Sequence, residues 1–398
     1  MNFQGEQIVA EKRRISVLGS TGSVGCSTLD LVARQPEKYQ IEALTANRNV
    51  ARLAEQAQRF GARLAVIGDE SQYSALKEAL RDTDIEVATG GDAIIEAAAR
   101  PADWLMAAIV GAAGLRPTLE AVRRGGIVAL ANKECLVCSG AIFMNEVMAN
   151  KATLLPVDSE HNAVFQVFEF NREKAVEKII LTASGGPFRT FSHQEMARVT
   201  PEQAVKHPNW TMGAKISVDS ATMMNKGLEV IEAYHLFPVE AGQLEILVHP
   251  QSVVHSMVAY VDGSVLAQLG SPDMRTPIAY TLGWPERITA PTQRLDLAAV
   301  GQLTFETPNE EHFPALRLAR EALQSGGAAP TVLNAANEVA VQAFLERRIG
   351  FLDIARIVET TLERTNPGSL ASLSDVHEAD RCAREQAGRL VADQKSVI

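Results

Sequence analysis

Residues 15–32 read ISVLGSTGSVGCSTLDLV, and this stretch decides the fold of the first part of the chain. A short apolar run, Ile15 to Leu18, ends at a glycine-rich turn, after which Leu29 to Val32 continue at helical spacing. The pattern predicts a strand, a loop and a helix. The turn, Gly19 to Gly25, has the spacing G-x-x-G-x-x-G, a variant of the fingerprint that brings dinucleotide phosphates to a helix N-terminus. A tight turn without function is the alternative, but its place between a strand and a helix favours a nucleotide site.

The alternation of strands and helices continues to about residue 150. Further apolar runs of strand length lie at residues 41–44, 64–67, 85–88, 105–110 and 127–130. Stretches rich in alanine, glutamate and arginine, with helical character, separate these runs. This alternation predicts an α/β fold, with a doubly wound, Rossmann-like and mostly parallel sheet over residues 1–150.

The pattern changes after residue 150. Strand-like runs are irregularly spaced over residues 151–290, and a hairpin is expected around Asp262-Gly263, so the sequence predicts a central α+β domain. Residues 291–311 have little periodicity and are predicted to form a linker. In residues 312–398 apolar side chains recur at helical spacing, which predicts a C-terminal helical domain.

Composition argues against several classes of protein. The chain has 398 residues, a formal net charge of -10 and no long run of lysine or arginine, which argues against nucleic-acid binding. Neither a signal peptide nor an apolar stretch of membrane-spanning length is expected. Four cysteines are too few to staple a chain of this length. Cys135 and Cys138 are most simply free thiols, although their C-x-x-C spacing leaves a redox or zinc role open. The sequence therefore predicts a cytoplasmic protein.

The end of the second predicted strand indicates which dinucleotide is used. An NAD-preferring site usually has an acid there, which accepts a hydrogen bond from the ribose 2′-hydroxyl, but this chain has Asn47-Arg48-Asn49. Arg48, flanked by Asn47 and Asn49, suits a 2′-phosphate because guanidinium and phosphate pair through two parallel hydrogen bonds. The sequence therefore predicts NADPH as cofactor, with an ordinary solvated arginine as the alternative.

Three carboxylates are candidates for binding a divalent cation. Asp158 and Glu160 follow a predicted strand at residues 152–157, and in extended geometry they would project to the same side. Glu229 lies on a predicted helix and would share a face with Asn225, four residues earlier. An all-oxygen set of this kind suits Mg²⁺ or Mn²⁺ rather than zinc. A solvated strand end and a helix-surface glutamate are the alternatives.

Donors that suit a phosphate group occur between these carboxylates or close to them in sequence. They are Ser184, His207, Ser220, Asn225 and Lys226. Hydroxyl, imidazole, amide and ammonium groups all bind oxyanions. His207 belongs to a polar, proline-containing stretch, and we expect residues 185–212 to form a mobile lid with Trp210 as an apolar cover. An ordinary surface loop with a buried tryptophan is the alternative.

Eight motifs in order make the chain resemble a known enzyme family. They are GSTGSVG (19–25), ANKE (131–134), PVDSEHNA (156–163), SGGPFR (184–189), HPNW (207–210), KISVDSATMMNKGLE (215–229), HPQS (249–252) and PDMRTP (272–277). Together they resemble 1-deoxy-D-xylulose 5-phosphate reductoisomerase, and the likeness runs from about Ile15 to residues 334–338. Any one motif could arise by chance, but eight in sequence leave little room for it.

The resemblance implies an N-terminal NADPH-binding domain, a central domain that also makes the contact of a homodimer, and a C-terminal helical bundle. The cofactor positions that it implies are Thr21, Gly22, Ser23, Val24, Arg48, Asn49, Asn132, Glu134 and Gly213. The implied metal ligands are Asp158, Glu160 and Glu229. The implied substrate contacts are Lys133, Ser159, Ser184, His207, Ser220, Asn225 and Lys226, together with the ligands Glu160 and Glu229. Lys133 and the three metal ligands are the expected catalytic residues.

The resemblance also implies a reaction, the first committed step of the non-mevalonate isoprenoid pathway. A retro-aldol and aldol sequence would give 2-C-methyl-D-erythrose 4-phosphate, which NADPH would reduce to 2-C-methyl-D-erythritol 4-phosphate. A divalent cation is expected to stabilise the oxyanions of this rearrangement. Lys133 is the expected group that neutralises or protonates a developing oxygen charge.

Two rival functions remain open at this point. Cys135 stands where a serine is familiar in relatives, and semialdehyde and acyl-phosphate dehydrogenases with similar glycine turns need a nucleophilic cysteine to form a thioester. That rival explains neither the three carboxylates nor the lid. A non-catalytic redox sensor that binds NADPH would need no metal and would tolerate the loss of Glu229.

Overall fold

The computed structural model describes residues 11–210, 212–365 and 368–394. Its N-terminal part is a parallel sheet that has seven strands within those residues. The strands are β1 (Arg13–Leu18), β2 (Tyr39–Ala46), β3 (Leu64–Ile67), β4 (Glu86–Thr89), β5 (Trp104–Ala107), β6 (Ile127–Leu130) and β7 (Thr153–Pro156). The helices between them are α1 (Ser23–Ala33), α2 (Val50–Phe60), α3 (Tyr73–Ala79), α4 (Gly91–Ala99), α5 (Leu115–Arg124) and α6 (Glu134–Ala149).

The strand order of this first sheet is β4-β3-β2-β1-β5-β6-β7, the order of a doubly wound fold. The chain steps outward from β1 to β4 and then returns to the other side of β1, so that β5 is its second neighbour. A crevice forms at the carboxyl ends of the strands where the order reverses, and ligands usually bind there. The glycine-rich turn after β1 lies at this point. The predicted Rossmann-like α/β fold is confirmed, and the sheet continues past residue 150 to Pro156.

A second, smaller sheet lies in the central region. Of the described residues, those in β8 (Val176–Ala183), β9 (Leu244–Val248), β10 (Val254–Tyr260) and β11 (Val265–Leu269) form it, in the order β11-β10-β8-β9. β10 is antiparallel to both β8 and β11, and the hairpin predicted around Asp262-Gly263 is confirmed. The helices of this region are α7 (Ser159–Val167), α8 (His193–Met196), α9 (Pro201–Ala204), α10 (Ala214–Ala221), α11 (Met224–Leu236) and α12 (Arg275–Gly283).

The C-terminal part is helical, as predicted. Its helices are α13 (Leu297–Val300), α14 (Pro314–Ser325), α15 (Ala329–Leu345), α16 (Asp353–Arg364) and α17 (Leu373–Gln394). The predicted linker, residues 291–311, contains the short α13 and a bridge from Glu306 to Val248 that holds it against β9. In the part of the chain that the structure describes, no helix is long and apolar enough to cross a membrane.

One hydrophobic cluster joins the central region to the C-terminal helices. Ile179 of β8, Ile231 of α11, Leu316 of α14 and Leu333 of α15 are all fully buried in it. Burying each such side chain contributes roughly 1.5–3 kcal/mol. The C-terminal helices therefore brace α11, which carries Glu229.

Candidate active site

A cavity of about 600 Å³ joins the first sheet to the central region. Predicted site residues that line it are Ser23, Val24, Lys133, Asp158, Ser159, Glu160, Ser184, His207, Gly213, Ser220, Asn225, Lys226 and Glu229. The start of α1 and the three predicted metal ligands thus face the same space. A dinucleotide at α1 and a cation at the carboxylates would be neighbours.

The glycine-rich turn wraps tightly over the end of β1. Gly19 has a φ of +83°, and a Cβ atom there would lie 2.5 Å from the carbonyl oxygen of Ala108. A Cβ at Gly25 would lie 2.4 Å from the carbonyl oxygen of Gly19, so neither position admits a side chain. Gly22 is the N-cap of α1 and supplies no side-chain cap, which leaves the first amides of the helix free to bind an anion. This cradle fits a pyrophosphate.

The other predicted cofactor residues lie outside the cavity. They are Thr21, Gly22, Asn47, Arg48, Asn49, Asn132 and Glu134. Asn47 and Arg48 follow β2, and Asn49 caps α2 by accepting a hydrogen bond from the amide of Arg52. The Nδ2 atom of Asn132 donates to the carbonyl oxygens of Ile109 and Gly111. Among the predicted cofactor residues, those that line the cavity with the carboxylates are Ser23 and Val24 at the start of α1, together with Gly213.

Buried Glu134 is paired within the protein. Its Oε1 atom lies 2.7 Å from Nζ of Lys215, which also lies 2.9 Å from Oδ2 of Asp219. Nδ2 of Asn337 donates to the other oxygen of Asp219 at 2.8 Å. These contacts tie the start of α6 to α10 and to the C-terminal helix α15. The predicted cofactor role of Glu134 remains a prediction.

Asp158 and Glu160 converge by a different geometry from the one expected. The extended backbone does not persist beyond residue 158, because Asp158 is the N-cap of α7 and accepts a hydrogen bond from the amide of Glu160 at 3.2 Å. The prediction of strand-like alternation was therefore wrong, although the two carboxylates do meet. With Glu229 of α11 they offer three oxygen atoms that lie within 4.8 Å of one another. Such an all-oxygen donor set fits Mg²⁺ or Mn²⁺.

Two lysines neutralise these carboxylates. Nζ of Lys133 lies 2.6 Å from Oδ2 of Asp158 and 3.0 Å from Oε1 of Glu229. Nζ of Lys226 lies 3.2 Å from Oε1 of Glu160 and also bonds Glu229. Three carboxylates and two ammonium groups leave a formal charge of -1, so the cluster keeps a negative charge that attracts a cation.

The surroundings shift the pKa of Asp158, Glu160 and Lys133 in different ways. Burial acts to raise the pKa of Asp158, but Lys133 and His161 outweigh it and hold that pKa well below its usual range. For Glu160, burial wins and raises the pKa to about 7. Burial acts to lower the pKa of Lys133, but Asp158 and Glu229 raise it well above the usual range. Lys133 and Asp158 are therefore charged at neutral pH, and Glu160 is poised to exchange a proton.

A buried histidine supports the carboxylate site from behind. Nδ1 of His161 lies 3.4 Å from Asp158 and 3.0 Å from Glu232, and Nε2 lies 2.9 Å from the backbone carbonyl oxygen of Glu229. His161 and Glu232 are fully buried. These contacts fix α7 against α11, and hence the two helices that carry the acids. His161 belongs to the PVDSEHNA motif, but no feature of the sequence indicated that it holds α7 against α11.

Ser184 and His207, both predicted as phosphate contacts, touch each other in the wall of the cavity. Nδ1 of His207 accepts hydrogen bonds from the amides of Asn209 and Trp210, both at 3.1 Å. The ring proton is therefore on Nε2, which donates to Oγ of Ser184 at 2.9 Å. Burial lowers the pKa of His207, which favours this neutral form. The hydroxyl hydrogen of Ser184 is left to donate to a ligand.

Glycine also sets the distance between the two serines of this site. Gly186 has a φ of +70°, and a Cβ there would lie 2.6 Å from the carbonyl oxygen of Ser220. The loop after β8, which begins at Ser184, therefore approaches the backbone of α10 closely. A side chain at position 186 would push Ser184 away from Ser220.

A break between α10 and α11 lets both helices contribute to the cavity. Met223 has a φ of +64°, in the left-handed region, and stands as the N-cap of α11. In one continuous helix Ser220 and Asn225 would lie about 140° apart around the axis, on different faces. The break redirects α11, so that both side chains line the same space. The predicted helix that carries Asn225 and Glu229 is α11, and the preceding residues form the separate helix α10.

The lid prediction is too long at its N-terminal side. Phe188, Met196 and Ala204 are buried in the central hydrophobic cluster, and capping boxes close α8 and α9. Residues 188–204 are therefore anchored to the core. The stretch from His207 to Trp210 lines the cavity, and mobility remains a prediction for that stretch.

Several cavity residues were not predicted. They include Ser27, Ile216, Met223, Ser252 and the segment 272–275. The motifs HPQS and PDMRTP pointed to Ser252 and to this segment without indicating what either does. Arg275 pairs with Asp273 and with Asp30 of α1, at 2.6 and 3.3 Å, so it ties the segment to the cofactor helix.

The cysteines of the C-x-x-C motif are free thiols on the first turns of α6, and both are buried. Burial raises the pKa of Cys135 and of Cys138, so neither is a thiolate at neutral pH. Neither lines the cavity. The geometry therefore disfavours thioester chemistry at Cys135.

Comparison with family models covers most of the chain. Residues 15–140 match the model of 1-deoxy-D-xylulose 5-phosphate reductoisomerase. Residues 154–237 match the model of its C-terminal domain, and residues 269–386 match that of the DXP reductoisomerase C-terminal domain.

Two similar proteins bear the name 1-deoxy-D-xylulose 5-phosphate reductoisomerase. The protein from Rhodospirillum centenum is 64% identical over 380 residues, which cover 96% of this chain and 94% of the relative. The protein from Zymomonas mobilis is 59% identical over 383 residues, which cover 96% and 99%.

Solved structures give the same result. The Zymomonas mobilis reductoisomerase in complex with NADPH matches with a TM-score of 0.91 and 57% identity, over 96% of this chain and 99% of that one. A DOX-P reductoisomerase in complex with NADPH, fosmidomycin and magnesium also matches with a TM-score of 0.91, at 41% identity and the same two coverages. Identity of this extent over nearly the whole length is decisive, and this chain belongs to the 1-deoxy-D-xylulose 5-phosphate reductoisomerase family.

Proposed function

We propose that this chain converts 1-deoxy-D-xylulose 5-phosphate to 2-C-methyl-D-erythritol 4-phosphate, with NADPH and a divalent cation, as a step of isoprenoid biosynthesis. The observation that carries the proposal is the shared cavity, in which the free N-terminus of α1 and three convergent carboxylates face one space. A relative of the same fold is described with NADPH, fosmidomycin and magnesium, which supports the same ligand classes.

Asp158, Glu160 and Glu229 would hold Mg²⁺ or Mn²⁺, and the start of α1 would hold the pyrophosphate of NADPH. When bound, the cation supplies Lewis acidity to the oxygens of the rearranging sugar, and the nicotinamide supplies a hydride to the aldehyde. Neither the thioester chemistry nor a non-catalytic sensor accounts for three convergent carboxylates in the same cavity as the start of α1.

Lys133 would neutralise negative charge on a substrate oxygen. Its ammonium group lies among Asp158, Asn225 and Glu229, at 2.6 to 3.0 Å, and these acceptors keep it in a fixed position. Because its pKa is raised well above the usual range, it stays protonated at neutral pH and acts as a hydrogen-bond donor rather than as a base. A donor that is fixed before the reaction needs no reorganisation when the charge develops.

The phosphate end would be held by Ser184, Ser220, Asn225 and Lys226, with His207 orienting the hydroxyl of Ser184. Contacts to this non-reacting group supply binding energy for ordering the reacting end of the sugar. A substrate that lacks the phosphate should therefore lose turnover as well as affinity. Trp210 and Met212 line the cavity and would exclude water once the site is filled.

We also propose a homodimer formed by the central region. β11 is the edge of the second sheet, and its Val265 and Leu266 are 52% and 44% exposed. An exposed apolar edge strand pairs readily with another chain. The division into domains at 1–150, 151–290, 291–311 and 312–398 remains a proposal, except that the first boundary moves to after Pro156, because β7 belongs to the first sheet. A cytoplasmic location, consistent with free thiols, is also a proposal.

The test is a coupled optical assay with product identification. NADPH absorbance should fall only when 1-deoxy-D-xylulose 5-phosphate and Mg²⁺ or Mn²⁺ are both present, and the product should be 2-C-methyl-D-erythritol 4-phosphate. Glu229→Gln is the matched control, since it keeps the size of the side chain and removes the charge. NADPH oxidation without metal, or unchanged turnover in the control variant, would contradict the proposal.

A further inference from the structure

We infer that Asp69 is a positioning residue for cofactor selection, which holds the guanidinium of Arg48 ready for the 2′-phosphate of NADPH. Nε of Arg48 donates to Oδ2 of Asp69 at 2.8 Å. The inference rests on the proposed NADPH site, because it concerns the residue that would meet the 2′-phosphate there. Asp69 itself would touch no cofactor atom and would act through Arg48.

The backbone places these two residues side by side. Ala46 and Ile67 are paired at the ends of the parallel strands β2 and β3. The ladder continues beyond both strands, because the amide of Gly68 donates to Ala46 at 2.8 Å and the amide of Asp69 donates to Asn47 at 2.9 Å. Asp69 therefore stands on a backbone that is bonded directly to the residue before Arg48.

The carboxylate of Asp69 is itself fixed. Its Oδ1 atom accepts hydrogen bonds from the amide and the hydroxyl of Ser71, at 3.0 and 2.7 Å. These contacts, led by the hydroxyl bond, lower the pKa of Asp69 and keep it ionised. One oxygen thus anchors the group while the other, Oδ2, is directed at Arg48. Because Ser71 fixes Asp69 independently of Arg48, Asp69 is the residue that holds Arg48 in position.

Arg48 needs such a support. Its side chain is 78% exposed, and in the described part of the chain Asp69 is its side-chain partner. An exposed arginine loses much rotational freedom when it binds a ligand, and that loss weakens binding unless the side chain is ordered beforehand. A bond at Nε leaves the two terminal nitrogen atoms free, and these present a planar fork that matches a phosphate.

Stability does not explain the pair, because exposed ion pairs contribute little to folding. A carboxylate beside a phosphate site could instead oppose the ligand by charge repulsion. The two effects have opposite signs, which makes the inference easy to test. If Asp69 acts by positioning Arg48, neutralising it weakens NADPH binding, whereas if it only repels phosphate, neutralising it strengthens NADPH binding.

Binding of NADPH and of NADH is to be measured by fluorescence titration of the full-length protein, without metal or substrate. Arg48 and Ser71 bond to different oxygens of Asp69, and Asp69→Asn replaces one of these oxygens by an NH₂ group that cannot accept, so one of the two contacts is lost. We expect its Kd for NADPH to rise about 3- to 10-fold, and its Kd for NADH to stay within about twofold. Asp69→Ala should give the same pattern. Glu70→Gln, a neighbouring exposed acid, is the control for the loss of one negative charge and should leave both constants unchanged.

A double-mutant cycle then tests the route of the effect. In an Arg48→Ala background the Asp69→Asn change should have no effect on NADPH, because the group on which Asp69 acts is gone. Unchanged or tighter NADPH binding in Asp69→Asn, or an equal loss in the Arg48→Ala background, would overturn the inference. If Arg48→Ala alone weakens NADPH and NADH equally, it is the proposed 2′-phosphate site that fails. The two failures are therefore distinguishable.

Discussion

Metal binding should depend on pH through Glu160. The folded, metal-free protein raises the pKa of this acid to about 7, mainly because it is buried. A cation needs the carboxylate, so it competes with a proton on Glu160 at any pH below that value. The apparent affinity should be full above pH 8, about half at pH 7 and about tenfold lower at pH 6. Asp158 keeps a low pKa and Lys133 a high one, so neither titrates in this range.

The assay is titration with Mn²⁺, followed by electron paramagnetic resonance of the free ion, between pH 6 and 8.5. Glu160→Gln should bind the ion more weakly at every pH, and its affinity should vary little over this range. Without metal, folding stability depends on pH in the opposite direction to metal affinity. The raised pKa of Glu160 contributes to the free energy of unfolding below pH 4.5, and this contribution is lost as the pH rises through about 7. An affinity for Mn²⁺ that does not change with pH in the unaltered protein would refute the reasoning. If the pH dependence persists in Glu160→Gln, the proton that competes with the metal belongs to another acid, such as Glu232.

Three further predictions follow from the same geometry. Glu229→Gln should lower turnover at least 100-fold, which corresponds to about 2.7 kcal/mol in activation free energy, while the Kd for NADPH stays within about twofold. Near-normal turnover would show that Glu229 does not bind the metal. Cys135→Ser should keep its activity, because no covalent cysteine intermediate is formed, and complete inactivation of the folded variant would revive the thioester alternative. Trypsin should cut the free protein after Lys206 but not after Arg198, which lies in the anchored segment. NADPH, metal and fosmidomycin together should protect the bond after Lys206. Cleavage there that these ligands do not change would contradict a lid.

The parallel sheet was predictable from local pattern alone. Strands buried on both faces, such as β3 and β5, are short continuous apolar runs between turns, and they give a strong signal. The glycine turn was predictable as well, since Gly19 and Gly25 occupy positions where no Cβ fits. The conformations that the sequence did not reveal depend on contacts between distant residues.

Two local conformations show this dependence. Asp158 lies two residues after β7 and is the N-cap of α7, a position that favours aspartate, but the residue type alone does not show that the strand has ended before it. Met223 lies in a run that reads as one helix, because methionine has high helix propensity and gives no hint of a left-handed backbone. The pairing of Glu134 with Lys215 joins residues 81 positions apart, and no local pattern indicates it.

Met223 makes the cavity depend on a backbone conformation that most residues avoid. A left-handed residue other than glycine costs about 1–2 kcal/mol, and β-branched residues fare worse. Glycine would remove this cost, but it would leave a gap where a side chain only 3% exposed now fills the core. Few substitutions satisfy both demands, and asparagine meets the first at the expense of the second. An inhibitor that contacts Met223 closely would therefore bind at a position where few substitutions are tolerated. Resistance mutations should arise there less readily than at exposed residues that line the cavity.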